Sequence, residues 1–139
     1  MATTREAVCE WQGTLIEGGG RVSLESSGLG TFDVTWASRA EQPEGRTSPE
    51  ELIAAAHASC FSMALSSGLA KAGTPPTSLR TRAEVDFKPG DGITGIRLFV
   101  SSDVPGLDDA GFREAAETAK AGCPVSKALA AVPISLTVE

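Results

Sequence analysis

Apolar and polar residues alternate through much of the first 36 positions, and glycines interrupt the alternation. The stretch AVCEWQGTLIEGG has β character and ends in glycines. GRVSLESSG alternates through Val22 and Leu24, and GTFDVTWAS places Phe32, Val34 and Trp36 on one face. Period-two runs separated by glycine-rich turns predict three strands in an antiparallel meander. Residues 38–48, SRAEQPEGRTS, are polar and contain Pro43 and Gly45, so they read as a connection.

The pattern then changes. Ser48-Pro49-Glu50-Glu51 is a helix start: Ser48 caps, Pro49 suits the first helical position, and Glu51 completes a capping box. From Leu52 to Ala70 there is no Asp, Glu, Lys or Arg. A helix so free of charge is expected to be buried on nearly every face. It should run to Lys71, with Gly73 and Pro75 ending it.

Two more strands follow. SLRTRAEVDFKPG carries Leu79, Ala83, Val85 and Phe87 among charged residues, and GITGIRLFVSSDV alternates through Ile96, Leu98 and Val100. DDAGFREAAETAKAG reads as a helix ending at Gly122, CPVSKALAA as a short helix, and PISLTVE as a last strand. The predicted order is βββ–α–ββ–α–α–β. Helices grouped between antiparallel strands define an α+β fold, here antiparallel sheets packed on a long buried central helix. The 139 residues suffice for one domain, residues 1–139, and no internal repeat is visible.

Charge and cysteine usage narrow the function. The net charge is −6, with no basic run, which argues against a nucleic-acid partner. The first residues contain no apolar segment of the kind a secretory signal needs, so the expected location is the cytoplasm. Structural disulfides are rare there, and the three cysteines read as free, catalytic or incidental. Leu52–Ala70 is long enough for a membrane span, but it is built from Ala and Ser and contains His57. No membrane association is expected.

Cys60 lies about three turns into the long helix, beyond useful reach of the helix dipole. It reads either as a small buried hydrophobe or as a nucleophile, and a nucleophile needs a cation to hold its thiolate. Its own helix supplies none, so the candidates are Arg21, Arg39 and Arg46. The residues one and two turns away, Ala56, Met63, Ala64 and Ser67, leave room for another helix. Cys123 stands beside Pro124 at a predicted helix start, where unpaired N–H groups favour a thiolate. On local electrostatics Cys123 is the better activated of the two. Cys9 falls in a predicted edge strand and reads as incidental. Glu50 and Glu51 are accounted for by the positive end of their helix. His57, the only histidine, sits three residues before Cys60 and could approach it along the helix. One His and one Cys do not make a metal site, and no CxxC or HExxH is present.

Two segments, TSPEELIAAAHASCFSMALS and AKAGCPVSKAL, in this order, closely resemble the signature segments of the osmotically inducible protein C and organic hydroperoxide resistance (OsmC/Ohr) family. The form of the first resembles the OsmC branch. The resemblance implies one OsmC-like domain and a tightly intertwined homodimer with active sites at the subunit interface. It implies a cysteine-based peroxidase that reduces organic hydroperoxides and hydrogen peroxide with an external dithiol, without metal, haem or flavin. By the same resemblance Cys60 attacks the peroxide and Cys123 resolves the product. Glu50 is then the catalytic carboxylate and Arg39 its arginine partner. Arg21 falls where the Ohr branch carries arginines, and Arg46 is an additional cation. Glu50 and Cys60 lie ten residues apart on one helix, roughly 15 Å along its axis, too far for direct contact. A helix from a second subunit would solve that geometry. Two other classes stay open on the residues: a dimeric module whose apolar groove holds a lipid-like ligand, and a stress-induced structural protein with incidental cysteines.

Overall fold

Three short strands open the chain: β1 (Val8–Gln12), β2 (Gly19–Ser23) and β3 (Thr31–Val34). In the computed structural model, which describes residues 1–139, they form an antiparallel sheet in the order β1-β2-β3. The register pairs Cys9 with Val22 and Arg21 with Asp33. Gly20 is required by packing. A Cβ there would lie 2.8 Å from the Trp11 ring and 3.1 Å from the Cys9 sulfur. β1 is an edge strand, and Cys9 on it is exposed.

The sheet pattern stops at Val34, two residues earlier than the alternation predicts. Thr35 caps a short helix, α1 (Trp36–Ala40), so Trp36 begins a helix instead of continuing the strand face of Phe32 and Val34. The competing signal is a capping box. The Thr35 hydroxyl accepts from the Ser38 N–H at 3.0 Å, and the Ser38 hydroxyl accepts from the Thr35 N–H at 3.0 Å. Ser38 is buried and also donates to the Thr47 carbonyl at 2.8 Å, while the Thr47 N–H donates to the Asp33 carbonyl at 2.9 Å. The connection is therefore pinned at its far end. It reverses at Glu44 and Gly45, whose φ angles are +46° and +79°.

Helix α2 spans Pro49–Lys71. Ser48 caps it, accepting from the Glu51 N–H at 3.1 Å. The expected box is only half formed, because the Glu51 carboxylate accepts the Thr47 hydroxyl at 2.6 Å instead. At the other end Gly73 takes φ +88°, and Thr74 N–H returns to the Leu69 carbonyl at 2.9 Å. The chain divides into two units, Met1–Leu52 and Ile53–Glu139.

The second unit contains most of α2, β4 (Ser78–Lys88), β5 (Gly92–Asp103), α3 (Asp109–Gly122), α4 (Pro124–Ala128) and β6 (Ile134–Val138). β4 and β5 are antiparallel, as the patterning predicts, but β6 pairs parallel to β5, with Leu98 opposite Leu136. The sheet is mixed because α3 and α4 form a crossover that returns the chain in the same direction as β5. On β5, Ile96, Leu98 and Val100 face the core. From α3 come Phe112, Ala116 and Ala119, and then Cys123, which follows that helix.

α2 contributes His57, Phe61, Leu65 and Leu69, a four-residue repeat that draws one buried stripe along the helix. Burying each of the three large apolar side chains stabilises the fold by about 1.5–3 kcal/mol. Burial on nearly every face is not reached within the single chain. Ala55, Ala56, Ser59, Met63, Ser67 and Ala70 are exposed in the single chain. α2 is long and apolar enough to cross a membrane, yet its largest apolar residues lie in the core of the second unit.

Candidate active site

The first unit builds an arginine–carboxylate pair. Glu50 stands in the first turn of α2, where a carboxylate favours the positive helix end. Arg39 stands in the last turn of α1. With α1 locked by Thr35 and Ser38 and the connection tied at Thr47, the two side chains meet. Arg39 Nε donates to both carboxylate oxygens at 3.0 and 3.2 Å, and Nη2 donates to Oε1 at 2.9 Å. This is a planar two-pronged grip, which lysine does not reproduce. The Glu50 side chain is 8% exposed and Arg39 31%. The other two candidate arginines are placed differently. Arg21 forms a loose pair with Asp33 at 3.4 Å, both well exposed. Arg21 and Arg46 line an open cleft of about 300 Å³ together with Glu10 and Asp33.

The second unit brings the two predicted cysteines together. Their sulfurs lie 2.9 Å apart, Cys123 fully buried and Cys60 half-buried, and both are free thiols. A disulfide needs about 2.05 Å, so once one of the sulfurs is oxidised only a small approach is required for the bond. Cys60 comes from the middle of α2. Cys123 is the cap residue ahead of α4, with Pro124 inside the helix, one place earlier than the sequence pattern put it.

The two thiols share their protons unequally. Burial pushes the Cys60 thiol up, and its hydrogen bond with Cys123 adds to the effect, while the Val125 N–H opposes it. Burial also acts upward on Cys123, but Cys60, the Ser126 N–H and hydroxyl, and the Val125 N–H together draw it below its ordinary value. Cys123 therefore ionises first in these surroundings, in agreement with the local reading of the sequence. No arginine or lysine contributes to the balance at Cys60.

His57 does not approach Cys60 along the helix. It is fully buried, and its Nε2 lies 2.7 Å from the Ser126 hydroxyl. Burial lowers its pKa, so the ring is neutral at pH 7. Ser126 is the site residue that the sequence reading misses. Its signal is the spacing Cys-Pro-Val-Ser, which puts a hydroxyl in the first turn of the helix that Pro124 opens. No three His, Cys, Asp or Glu side chains converge into a metal site.

Comparison with known proteins now places the chain. Residues 42–139 match the family model described as OsmC-like protein. The Peroxiredoxin OsmC of Escherichia coli (strain K12) is 44% identical over 134 residues, 94% of this chain and 93% of that one. The Peroxiredoxin OsmC of Shigella flexneri matches equally. Among solved structures, the organic hydroperoxide resistance protein OhrB of Bacillus subtilis superposes with a TM-score of 0.75 at 24% identity, covering 99% of this chain and 98% of that one. An organic hydroperoxide resistance protein from Elizabethkingia anophelis gives 0.73 at 23% identity, covering 100% and 99%. The fold is that of these α+β proteins, and the chain belongs to the OsmC family.

The Arg39–Glu50 pair carries a stability prediction. Arg39→Ala leaves a nearly buried carboxylate without its cation, and should cost about 1.5–3 kcal/mol in urea unfolding. Adding Glu50→Gln, which removes the stranded charge, should recover part of the loss. An Arg39→Ala variant as stable as the parent would show that the pair is not held as described.

Proposed function

We propose that the protein is a thiol-dependent peroxidase, reducing organic hydroperoxides and hydrogen peroxide through Cys60 and Cys123. The observation that carries this reading is the meeting of those two sulfurs at 2.9 Å in a chain of the OsmC family. The 44% identity to proteins named Peroxiredoxin OsmC supports it, as does the likeness to organic hydroperoxide resistance proteins.

The cycle runs in three steps. The Cys60 thiolate attacks the terminal peroxide oxygen, the O–O bond breaks, and the alkoxide takes up a proton and leaves as alcohol. Hydrogen peroxide gives water in its place. Cys60 is now a sulfenic acid. The Cys123 sulfur then attacks the Cys60 sulfur, the S–O bond breaks, and water leaves as the disulfide forms. An external dithiol reduces the disulfide by exchange and regenerates both thiols. No metal, haem or flavin takes part.

Arg39, oriented by Glu50, is assigned to holding the Cys60 thiolate and polarising the peroxide. The second unit alone favours ionisation of Cys123, so Cys60 needs a cation from elsewhere. The reading places that cation at the interface of a homodimer, with both units acting as one catalytic domain. The uncharged, exposed face of α2 supports the dimer, as do exposed Trp11, Ile16 and Leu29 on the first unit. The assigned setting is the cytoplasm, whose dithiol systems supply the reductant.

Replacing Cys60 by Ser should abolish dithiol-dependent consumption of an organic hydroperoxide. In the parent protein, one equivalent of peroxide should yield an intramolecular Cys60–Cys123 disulfide in non-reduced peptide mass spectra. With Cys123→Ser, Cys60 should proceed to the sulfinic acid after a single turnover. Parent-like turnover of Cys60→Ser, or a main product containing Cys9, would sink the assignment.

Sedimentation at micromolar concentration should show a dimer. A monomer there would remove the interface on which the role of Arg39 depends. The arginine itself is tested by a scan. Arg39→Met should raise the apparent pKa of Cys60 above its parent value, in the direction that burial alone drives it, and slow its alkylation at neutral pH. Arg39→Lys should rescue only in part. Arg21→Met and Arg46→Met should leave the pKa near the parent value. Inactivity of Arg21→Met beside a normal Arg39→Met would transfer the role to Arg21.

A further inference from the structure

The peroxidase cycle uses neither His57 nor Ser126, yet both are buried and joined at 2.7 Å inside the second unit. His57 lies one turn before Cys60 on α2, and Ser126 lies three residues after Cys123 on α4. The pair therefore connects the two elements that carry the two cysteines. The histidine Nδ1 is buried with no hydrogen-bond partner.

That orphan nitrogen fixes the direction of the chain. A neutral imidazole has one N–H, and buried N–H groups without partners are rarer than unsatisfied acceptors. On that ground the proton is assigned to Nε2, with His57 donating to the Ser126 oxygen. The serine O–H is then left to turn toward Cys123, which caps the same helix three residues earlier. As a thiol Cys123 makes no side-chain capping bond, since a neutral sulfur is a weak acceptor. As a thiolate it is a strong one.

We propose that His57 is a positioning residue for the resolving step: it orients the Ser126 hydroxyl as a donor to Cys123 and so keeps that sulfur ready as a thiolate. The inference rests on the peroxidase reading for its purpose but not for its test. In the resolving step the Cys123 thiolate attacks the Cys60 sulfenic sulfur, the S–S bond forms and the S–O bond breaks. Hydroxide leaves and takes a proton from solvent, and Ser126 and His57 keep their own protons throughout. Burial of Cys123 opposes ionisation, and the Ser126 hydroxyl is among the groups that overcome it.

Of the titratable groups on the elements around Cys123, two approach it. From α2 they are Cys60 and, through Ser126, His57. On α3, Glu117 and Lys120 pair with each other, and Lys120 also donates to the Ile134 carbonyl. On β5, Arg97 is engaged by Glu84 and Asp86. α4 carries Lys127 in its last turn. None of these charged side chains contributes to the balance at Cys123.

The test reads the pH dependence of Cys123 alkylation by iodoacetamide in a Cys9→Ser, Cys60→Ser background. Ser126→Ala and His57→Leu should each move the half-point upward by about one unit, a roughly tenfold loss of thiolate at neutral pH. The double variant should move it no further than Ser126→Ala alone, since His57 acts only through the serine. His57→Gln, which keeps a donor at that position, should restore part of the shift. In the full cysteine set, His57→Leu should slow disulfide formation about tenfold while sulfenic acid forms on Cys60 at the parent rate. Purely structural contact predicts a lower melting temperature with an unmoved half-point, and that outcome overturns the proposal. Additive shifts from His57→Leu and Ser126→Ala also overturn it. Should His57→Leu fail to fold, an unmoved half-point in Ser126→Ala decides against it. Failure of the peroxidase reading would show separately, as absence of any Cys60 oxidation by hydroperoxide in the parent.

Discussion

The approach of Cys60 to Cys123 is the constraint on which the second unit depends. One sulfur is in the middle of a 23-residue helix, the other at a break between two helices 63 residues later in the chain. Bringing them within 2.9 Å requires α2 to be fixed in rotation and in height. The stripe of His57, Phe61, Leu65 and Leu69 fixes the rotation, because a four-residue repeat leaves only one face to bury. The break at Cys123-Pro124 serves the other partner. Proline opens α4 without needing an N–H donor, and the cap residue before it turns its sulfur toward α2.

Bringing two thiols out of water raises the cost of ionising either one. In the second unit that cost is offset at Cys123 by donors from the start of α4 and is not offset at Cys60. The two cysteines are thus specialised by their surroundings rather than by their own chemistry. The second unit favours ionisation of Cys123, for which the resolving role is proposed, whereas the proposed attacking thiolate of Cys60 is assigned a guanidinium. The first unit builds that guanidinium into a rigid position. Ser38, Thr35 and Thr47 have no chemistry of their own, yet they fix where Arg39 meets Glu50.

Much of this was legible in the chain. The strands, the end of α2 at Gly73 and the helix ending at Gly122 follow from period and punctuation, because those signals are local. Cys60, Cys123, Glu50 and Arg39 stand out among the residues themselves, their roles follow from the resemblance to one family, and the structure brings them together as two pairs. Trp36 misled because a β-like alternation ran straight into a capping box, and the cap prevailed. The parallel pairing of β6 was hidden because strand direction depends on the crossover rather than on the strand's own residues. The uncharged α2 reads as buried on nearly every face, but the absence of charge does not say whether one chain or an assembly covers a face. His57 was noticed for its spacing to Cys60, and its real partner, Ser126, is 69 residues away in sequence.

The central claim is that Cys60 is the sulfur that meets the peroxide, although Cys123 ionises more readily in the second unit. The most direct measurement treats the reduced protein with a limiting organic hydroperoxide in the presence of a sulfenic-acid trap, and locates the trapped residue by peptide mass spectrometry. The account predicts the adduct on Cys60, most abundant when Cys123 is replaced by Ser. An adduct on Cys123 in the parent protein, with Cys60 unmodified, would contradict it.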